Sequence, residues 1–569
     1  LSIDSIFYNS QLVDYQIVGE ESGADYHYEI SPLSSDNKDT VDLLIYYSGN
    51  MTNEGGKNAW GGVHYSDSTL FALGVGFRNN YVSTTQHWLP CYDHPSDKAL
   101  FYADFYLPED YEIASNGDKS IREENGKKYH HFVMNYPTAT YLLTFSIAKY
   151  TMQTLIINSI PIYVYAKEKD SVAATYAFKL TPEMLHFYSN LLKGYPFRSL
   201  GYVLTPIGSM ESQTMINFDK NLAKNIYTKK DSMNLTAAHE MSHQWFGNSV
   251  TPYDYRDAWL NESFATYSES LWREYMFGYS AYITEQQTKL SNYINYIIPS
   301  EGHIPLYNFD RSDVSNYPTT IYYKGAIILG MLRYKLGDSV FFQALRQYTS
   351  DFQYQNMDIL KAQQHFENVS GLNLSEFFEQ WIYGIGYPKL DVELFVDTIE
   401  GKDYSKKIVI NQVQIENWGI FRDVPVNITF KLSDGKLIDS VLILNEKNQS
   451  YLIDNIEIDT IYINNGSIVR SLLQVASVKT LKENSIFEDN NNLAEYLIYD
   501  NEIVIRIEEF LNDGKVILYD YLGRIIYSNQ LTNMEIFSIP ISNLEQGLYI
   551  LIITEQGQVI KKQAISIVK

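Results

Sequence analysis

The chain has 569 residues and a formal net charge of −24. That length exceeds one hydrophobic core and points to three or four domains. The acidity argues against a nucleic-acid partner, because phosphate binding needs clustered Lys and Arg. No run of eighteen apolar residues occurs, so no membrane span is expected. The single cysteine, Cys91, excludes an intrachain disulfide. The chain opens at Leu1 in strand-like sequence, without the basic start and apolar stretch of a signal peptide. A leader already removed, or a fragment, fits that opening.

Residues 1–152 read as a β domain of the sandwich type. Alternating runs such as Val41–Tyr47 and Leu100–Phe105 are separated by Gly, Asn, Asp and Pro clusters. Residues 153–388 turn helical, with apolar side chains at three- and four-residue spacing, as in Phe341–Tyr348. Within them, Ser232 or Asn234 is a candidate cap for a helix to about Phe246, with Gly247 just beyond it. After Gly386-Tyr387-Pro388 the alternation returns over 389–475 as a second sandwich. A polar linker is expected at 476–495, and a last β module at 496–569.

The chemistry sits in the helical part. His239-Glu240-Met241-Ser242-His243 places two imidazoles one helical turn apart on one face, where both reach a single ion. Glu240, next to the first of them, points to where a metal's water would sit. Nineteen residues on, Glu262 in Trp259-Leu260-Asn261-Glu262 supplies a carboxylate. Two His, one Glu and an open fourth position describe a catalytic zinc rather than a structural one. Alone, HExxH arises by chance in about one chain in a hundred, so the downstream Glu carries weight. His94, His130, His131 and His303 have no such company and read as surface or hydrogen-bonding residues.

In these segments the sequence resembles the aminopeptidase N family of gluzincins. The likeness is carried by His239–Asn248 with Trp259–Glu262, and by Gly208-Ser209-Met210-Glu211-Ser212, similar to the family's G-x-M-E-N motif. Tyr322-Tyr323-Lys324-Gly325-Ala326 resembles Y-E-K-G-A, and Pro90–Ala99 and Phe377–Pro388 extend the match. The resemblance implies a multidomain α+β chain: an N-terminal β-saddle, a thermolysin-like catalytic domain and β-sandwich modules behind it. It implies one zinc ion on His239, His243 and Glu262, and Glu240 as general base and acid. Tyr322 would donate to the oxyanion, and Glu211 would hold the substrate's free ammonium group. The backbone of Gly208, Ser209 and Met210 would pair with the peptide as an added strand. Glu269 would support a ligand histidine.

Three positions depart from the family's pattern: Ser212 for Asn, Tyr323 for Glu and Ser263 for Gly. A second ammonium-binding residue from the β domain is not evident, Gln86 being the nearest guess. Relatives also carry more β sequence ahead of the position of Leu1, so first strands are expected to be missing.

Residues 496–569 are similar to the C-terminal sorting domain of type IX secretion in Bacteroidetes-like bacteria, with Val516–Arg524, Leu544–Leu551 and a closing apolar strand. That resemblance implies export to the medium or the cell surface. The leading expectation is thus an exported zinc aminopeptidase acting on peptides with a free N-terminus. The rivals are a zinc endopeptidase and a surface-binding protein with a vestigial peptidase domain.

Overall fold

The alternation near the N-terminus folds into small antiparallel sheets. In the computed structural model the described residues are 1–18, 27–30, 40–56, 59–77, 83–309, 317–399, 402–453, 457–482, 494–499, 502–507, 513–520, 524–531, 536–541, 544, 547–556 and 558–567. Ser2–Tyr8 pairs with Gln11–Val13 on one side and Leu43–Ser48 on the other. Lys127–Ala139 lies between Asp118–Glu124 and Lys98–Tyr106. A four-stranded sheet runs in the order Gly62–Ser66, Thr69–Leu73, Phe145–Ala148, Glu112–Ser115. Val63, Ala72, Trp88, Ile113, Phe132 and Phe145 form a core between these layers. The Leu100–Phe105 run keeps its period of two, with Leu100, Tyr102 and Asp104 facing solvent and Phe101, Ala103 and Phe105 half-buried.

The next sheet begins at Tyr150, three residues before the helical part was expected to start. Tyr150–Ile157 pairs antiparallel with Ile160–Lys167. The two residues between them, Asn158 and Ser159, both have positive φ, the twist that a two-residue hairpin requires. Leu200–Thr205 and then Met215–Asp219 add in parallel. Leu200–Thr205 is buried at every position, as a central parallel strand must be.

The helices pack against this sheet. Asn234 caps the helix Leu235–Ser242, accepting from the N–H of Ala237 at 3.1 Å. That helix stops four residues short of the expected Phe246, because Gln244 and Trp245 bond back only three residues and tighten the chain into turns. His243 still donates its N–H to the His239 carbonyl, so the two rings keep their one-turn spacing. Helices Glu262–Phe277 and Thr319–Leu336 cross at Gly325, where a Cβ would stand 1.9 Å from Ser263 Oγ.

A second pair of sheets follows. Lys402–Gln412 and Lys389–Ile399 lie between Asn448–Leu452 and Gln474–Lys482. The other layer is Leu437–Leu444, Val424–Leu432 and Ile458–Ile463. The last strand of the first layer runs to Lys482, so the linker expected from 476 is strand over its first part. Its polar heart, Glu483-Asn484 and Glu488–Asn492, lies outside the described residues.

The chain divides into units at Leu1–Leu481 and Lys482–Lys569. The second unit holds a three-stranded sheet centred on Glu502–Ile507 and a four-stranded one ordered Ile525–Leu531, Gly514–Asp520, Gly547–Glu555, Gln558–Ile567. Its own core includes Ile503, Ile505, Val516, Leu518, Leu551 and Ile553. Among the described residues no helix is long and apolar enough to cross a membrane.

Candidate metal and peptide site

His239 and His243 project from one face of the Leu235–Ser242 turn sequence, and Glu262 from the first turn of the facing helix. His239 Nε2 and His243 Nε2 are 3.1 Å apart, and each lies 3.5 Å from Glu262 Oε2. Ligand atoms at zinc–nitrogen and zinc–oxygen distances around a tetrahedral ion stand about 3.3 Å from one another, so the triangle has the right size.

The hydrogen bonds behind the rings give it the right chemistry. His243 Nδ1 faces the Phe246 carbonyl at 2.9 Å, an acceptor only, so Nδ1 carries the proton in the neutral ring. His239 Nδ1 faces Glu269 Oε1 at 2.9 Å. In the neutral rings both Nε2 atoms would therefore turn bare lone pairs toward each other and toward a carboxylate. A cation between them resolves that repulsion, and the set fits zinc.

The electrostatics agree. Burial pushes the Glu262 carboxyl up, but the two histidines outweigh it and hold its pKa down to about 2. Burial also opposes charge on His239, yet Glu262 and Glu269 raise its pKa well above the ordinary imidazole value. Glu240 feels the same two histidines, but burial outweighs them and, with Glu211 and Glu262 adding to it, pushes its carboxyl up to about 8. Glu269 is held below the carboxylate range, burial being outweighed by Lys289 and His239.

Glu211 reaches the same place from the sheet. Its carboxylate, that of Glu240 and a ring nitrogen of His243 offer atoms all within 4.8 Å of one another. Burial raises the Glu211 pKa, and the nearby Glu262 charge adds to this. Two buried acids so close attract a cation. Met210 pairs in both directions with Asn217, at 2.9 and 3.0 Å, a single β-bridge that ties the Gly208–Glu211 segment to the last parallel strand. Ser209 Oγ accepts from the Asp219 N–H at 3.3 Å. Gly208 has φ +74°, and a Cβ there would press on the Trp60 ring at 3.0 Å. Ser212, in place of Asn, bonds Asn217 Oδ1 at 3.1 Å.

Tyr322 lies on the Thr319–Leu336 helix with its ring stacked on His239, 6.0 Å between centroids. Burial, with the charge of Glu262 next, raises its pKa well above 10, so its hydroxyl stays a donor. Ser263, the departure from Gly, donates to the Ile321 carbonyl at 2.6 Å and ties the Glu262 helix to the Tyr322 helix. Gln86 lies in the turn Thr85–His87, its backbone N–H on Asp93 Oδ2 at 2.9 Å.

Several supports were not foreseen. Asn248 Nδ2 donates to the Glu211 carbonyl at 2.6 Å and Gln244 Nε2 at 3.3 Å, while Gln244 Oε1 accepts from Thr214 at 2.9 Å. These amides lock the segment that carries Glu211 to the end of the Leu235–Ser242 helix. Both stand within His239–Asn248, but nothing in the sequence says that their partner lies more than thirty residues upstream. Trp60 and Lys289 carry no local signal at all.

Residues 176–381 match the model described as "Peptidase family M1 domain", and 20–142 the one described as "Peptidase M1 N-terminal domain". Residues 499–567 match "Secretion system C-terminal sorting domain". The alanine/arginine aminopeptidase of Saccharomyces cerevisiae is 26% identical over 66% of this chain and 46% of its own length. Bovine aminopeptidase N is 26% identical over 55% of this chain and 36% of its own length. This chain thus spans less than half of either relative. The M1 zinc metallopeptidase of Deinococcus radiodurans shares the fold at a TM-score of 0.54 and 22% identity, over 67% of this chain and 84% of that one. Legionella pneumophila aminopeptidase A, in complex with aspartic acid, aligns with a TM-score of 0.66 at 16% identity, over 83% of this chain and 54% of that one. With both M1 models matched in order and the His239–His243–Glu262 cluster inside the second, the chain belongs to peptidase family M1 and carries a secretion system C-terminal sorting domain.

Proposed function

We propose that this chain is an exported zinc aminopeptidase that removes the N-terminal residue from peptides. The observation that carries the reading is the position of the Glu211 carboxylate, within 4.8 Å of Glu240 and of His243 beside the three-ligand cluster. A buried carboxylate there pairs with an ammonium group, and so restricts cleavage to the first peptide bond. When bound, zinc lowers the pKa of its water toward 7 and polarises the scissile carbonyl.

The chain's own residues do the rest. His239, His243 and Glu262 hold the metal, and Glu269 and the Phe246 carbonyl fix the two rings. Glu240 takes a proton from the attacking water and returns it to the departing amine. The Tyr322 hydroxyl donates to the oxyanion as negative charge develops on it. The backbone of the Gly208-Ser209-Met210 segment would line the place where the peptide joins as an added strand. The aminopeptidase names of the relatives support the substrate class, and the sorting domain supports export through the type IX system.

The test compares a free-amine peptide with its N-acetylated form, alongside zinc content. The free-amine peptide should be cleaved by a chain holding one zinc, and the acetylated one should not. Glu211→Gln should lower kcat/KM for the free amine by about 10–100-fold, the worth of one buried charge-assisted contact. Equal cleavage of both peptides would make the chain an endopeptidase. A chain without stoichiometric zinc would point to a binding protein with a vestigial site.

A further inference from the structure

Behind the zinc ligand His239 lies a buried chain of charges that reaches another helix. Glu269 divides its carboxylate: Oε1 takes the His239 ring at 2.9 Å, and Oε2 takes Lys289 Nζ at 2.7 Å. Lys289, on the helix Tyr279–Asn292, is only 3% exposed. Its ammonium also donates to Glu285 Oε1 at 2.9 Å, and Arg273 Nε lies 3.0 Å from Glu285 Oε2. The series Arg273, Glu285, Lys289, Glu269 has no net charge, which is how ions persist in a protein interior. Tyr323 stands over the same ammonium, its ring centroid 6.0 Å from Nζ. It is the residue that replaces the Glu of the resembled motif.

We infer that Lys289 is a positioning residue for the metal site: it fixes the Glu269 carboxylate and, through it, the ring of His239. The inference rests on the zinc reading above. An imidazole binds a metal well when its far nitrogen is held by an acceptor that does not move. Glu269 has two oxygens and one ring to serve. A carboxylate with one oxygen unpaired in a buried site rotates or draws in water to satisfy it. The ammonium of Lys289 removes that freedom. It enters from the Tyr279–Asn292 helix, whereas His239 and Glu269 belong to the two helices facing the metal, so three helices share the task of orienting one ring.

The experiment titrates the purified, zinc-loaded full chain with dipicolinate and reads released zinc. Lys289→Met should lose zinc at about 10–100-fold lower chelator activity than wild type, the usual cost of removing an outer partner of a ligand histidine. Glu269→Gln should lose it to a similar degree, and adding Lys289→Met to Glu269→Gln should cost nothing further, because Lys289 acts only through Glu269. Additive losses would show an unrelated structural effect and overturn the proposal. Glu285→Gln is the milder variant should Lys289→Met not fold, with a loss of a few-fold expected. Unchanged zinc retention in whichever of the two folds sinks the inference alone. Wild type without stoichiometric zinc sinks the peptidase reading instead.

Discussion

The two halves of this site are built from different materials. The metal half stands on helices: helical period sets His239 and His243 one turn apart, and Glu262 meets them from the first turn of the facing helix. The Glu211 half stands on a single β-bridge: its neighbour Met210 pairs with Asn217, and the side-chain amides of Gln244 and Asn248, just past the Leu235–Ser242 helix, hold the Glu211 carbonyl. Helix periodicity pairs the two histidines without help from the rest of the chain, and only Glu262 waits on the packing of a second helix. A segment held by one bridge places nothing until its partners are known. The first half should therefore fail by losing its ion, and the second by losing discrimination while keeping it.

His243→Ala is the largest break. It removes one of three ligands and the carbonyl-fixed ring, so zinc should leave and turnover should fall by more than about 10³-fold. Metal analysis with peptide hydrolysis checks both, and a variant that kept its zinc would refute the ligand assignment. Glu240→Gln comes next. It changes the proton carrier but no ligand, so zinc should stay while kcat drops by about 10²–10⁴-fold. Normal turnover would show that another group moves the proton.

On the strand side the effect is smaller. Asn248→Ala removes the 2.6 Å bond to the Glu211 carbonyl and leaves the longer one from Gln244. A loss of roughly 1 kcal/mol is expected, about fivefold to tenfold. It should appear in KM for free-amine peptides, with zinc content unchanged. A fall in zinc content instead would mean that the two halves are not separable in the way their construction suggests.

The same contrast explains what could be read from the sequence. His239, Glu240 and His243 were legible because one motif fixes their spacing, and Glu262 because a carboxylate follows nineteen residues on; period alone separated the β regions from the helical one, while the finer fold class came through resemblance. Tyr322 and Glu211 were reached only through resemblance, since a Tyr before Tyr-Lys-Gly or a Glu before Ser has no spacing of its own. Lys289, Trp60 and the partners of Gln244 and Asn248 were out of reach, because each acts across a tertiary contact between elements far apart in the chain. Glu269 lies between these cases: seven residues past Glu262 puts it on the same helix face two turns on, but only the fold brings that face to His239. Boundaries slipped where hydrogen bonding overrode composition, as at Lys482, where polar residues continue a paired strand, and after Ser242, where i→i−3 bonds replace helical ones.

A last break is read in stability rather than turnover, on the helix that carries Tyr322. Lys324, two residues past Tyr322, is fully buried and donates to the carbonyls of Gly384 at 3.0 Å and Ile304 at 3.5 Å. No carboxylate partners it among the described residues, and burial lowers its pKa from 10.5 to about 7. Between those values the unfolded chain still binds the proton that the folded chain has released. The unfolded state then holds more protons, so stability gains from this group as pH rises across the window. Below the folded pKa both states are protonated and the dependence vanishes. Lys324→Met should remove this positive slope while adding an offset of about 1–3 kcal/mol for the carbonyls left bare, an offset that does not vary with pH. Lys98 is also lowered to about 7 by burial, so some slope should survive in the single variant and less in the double. Denaturant unfolding measured at intervals from neutral to alkaline pH separates slope from offset. An unchanged slope in Lys324→Met would mean that the ammonium keeps its proton in the folded chain, and that the helix carrying Tyr322 is anchored by a charge rather than by a neutral amine.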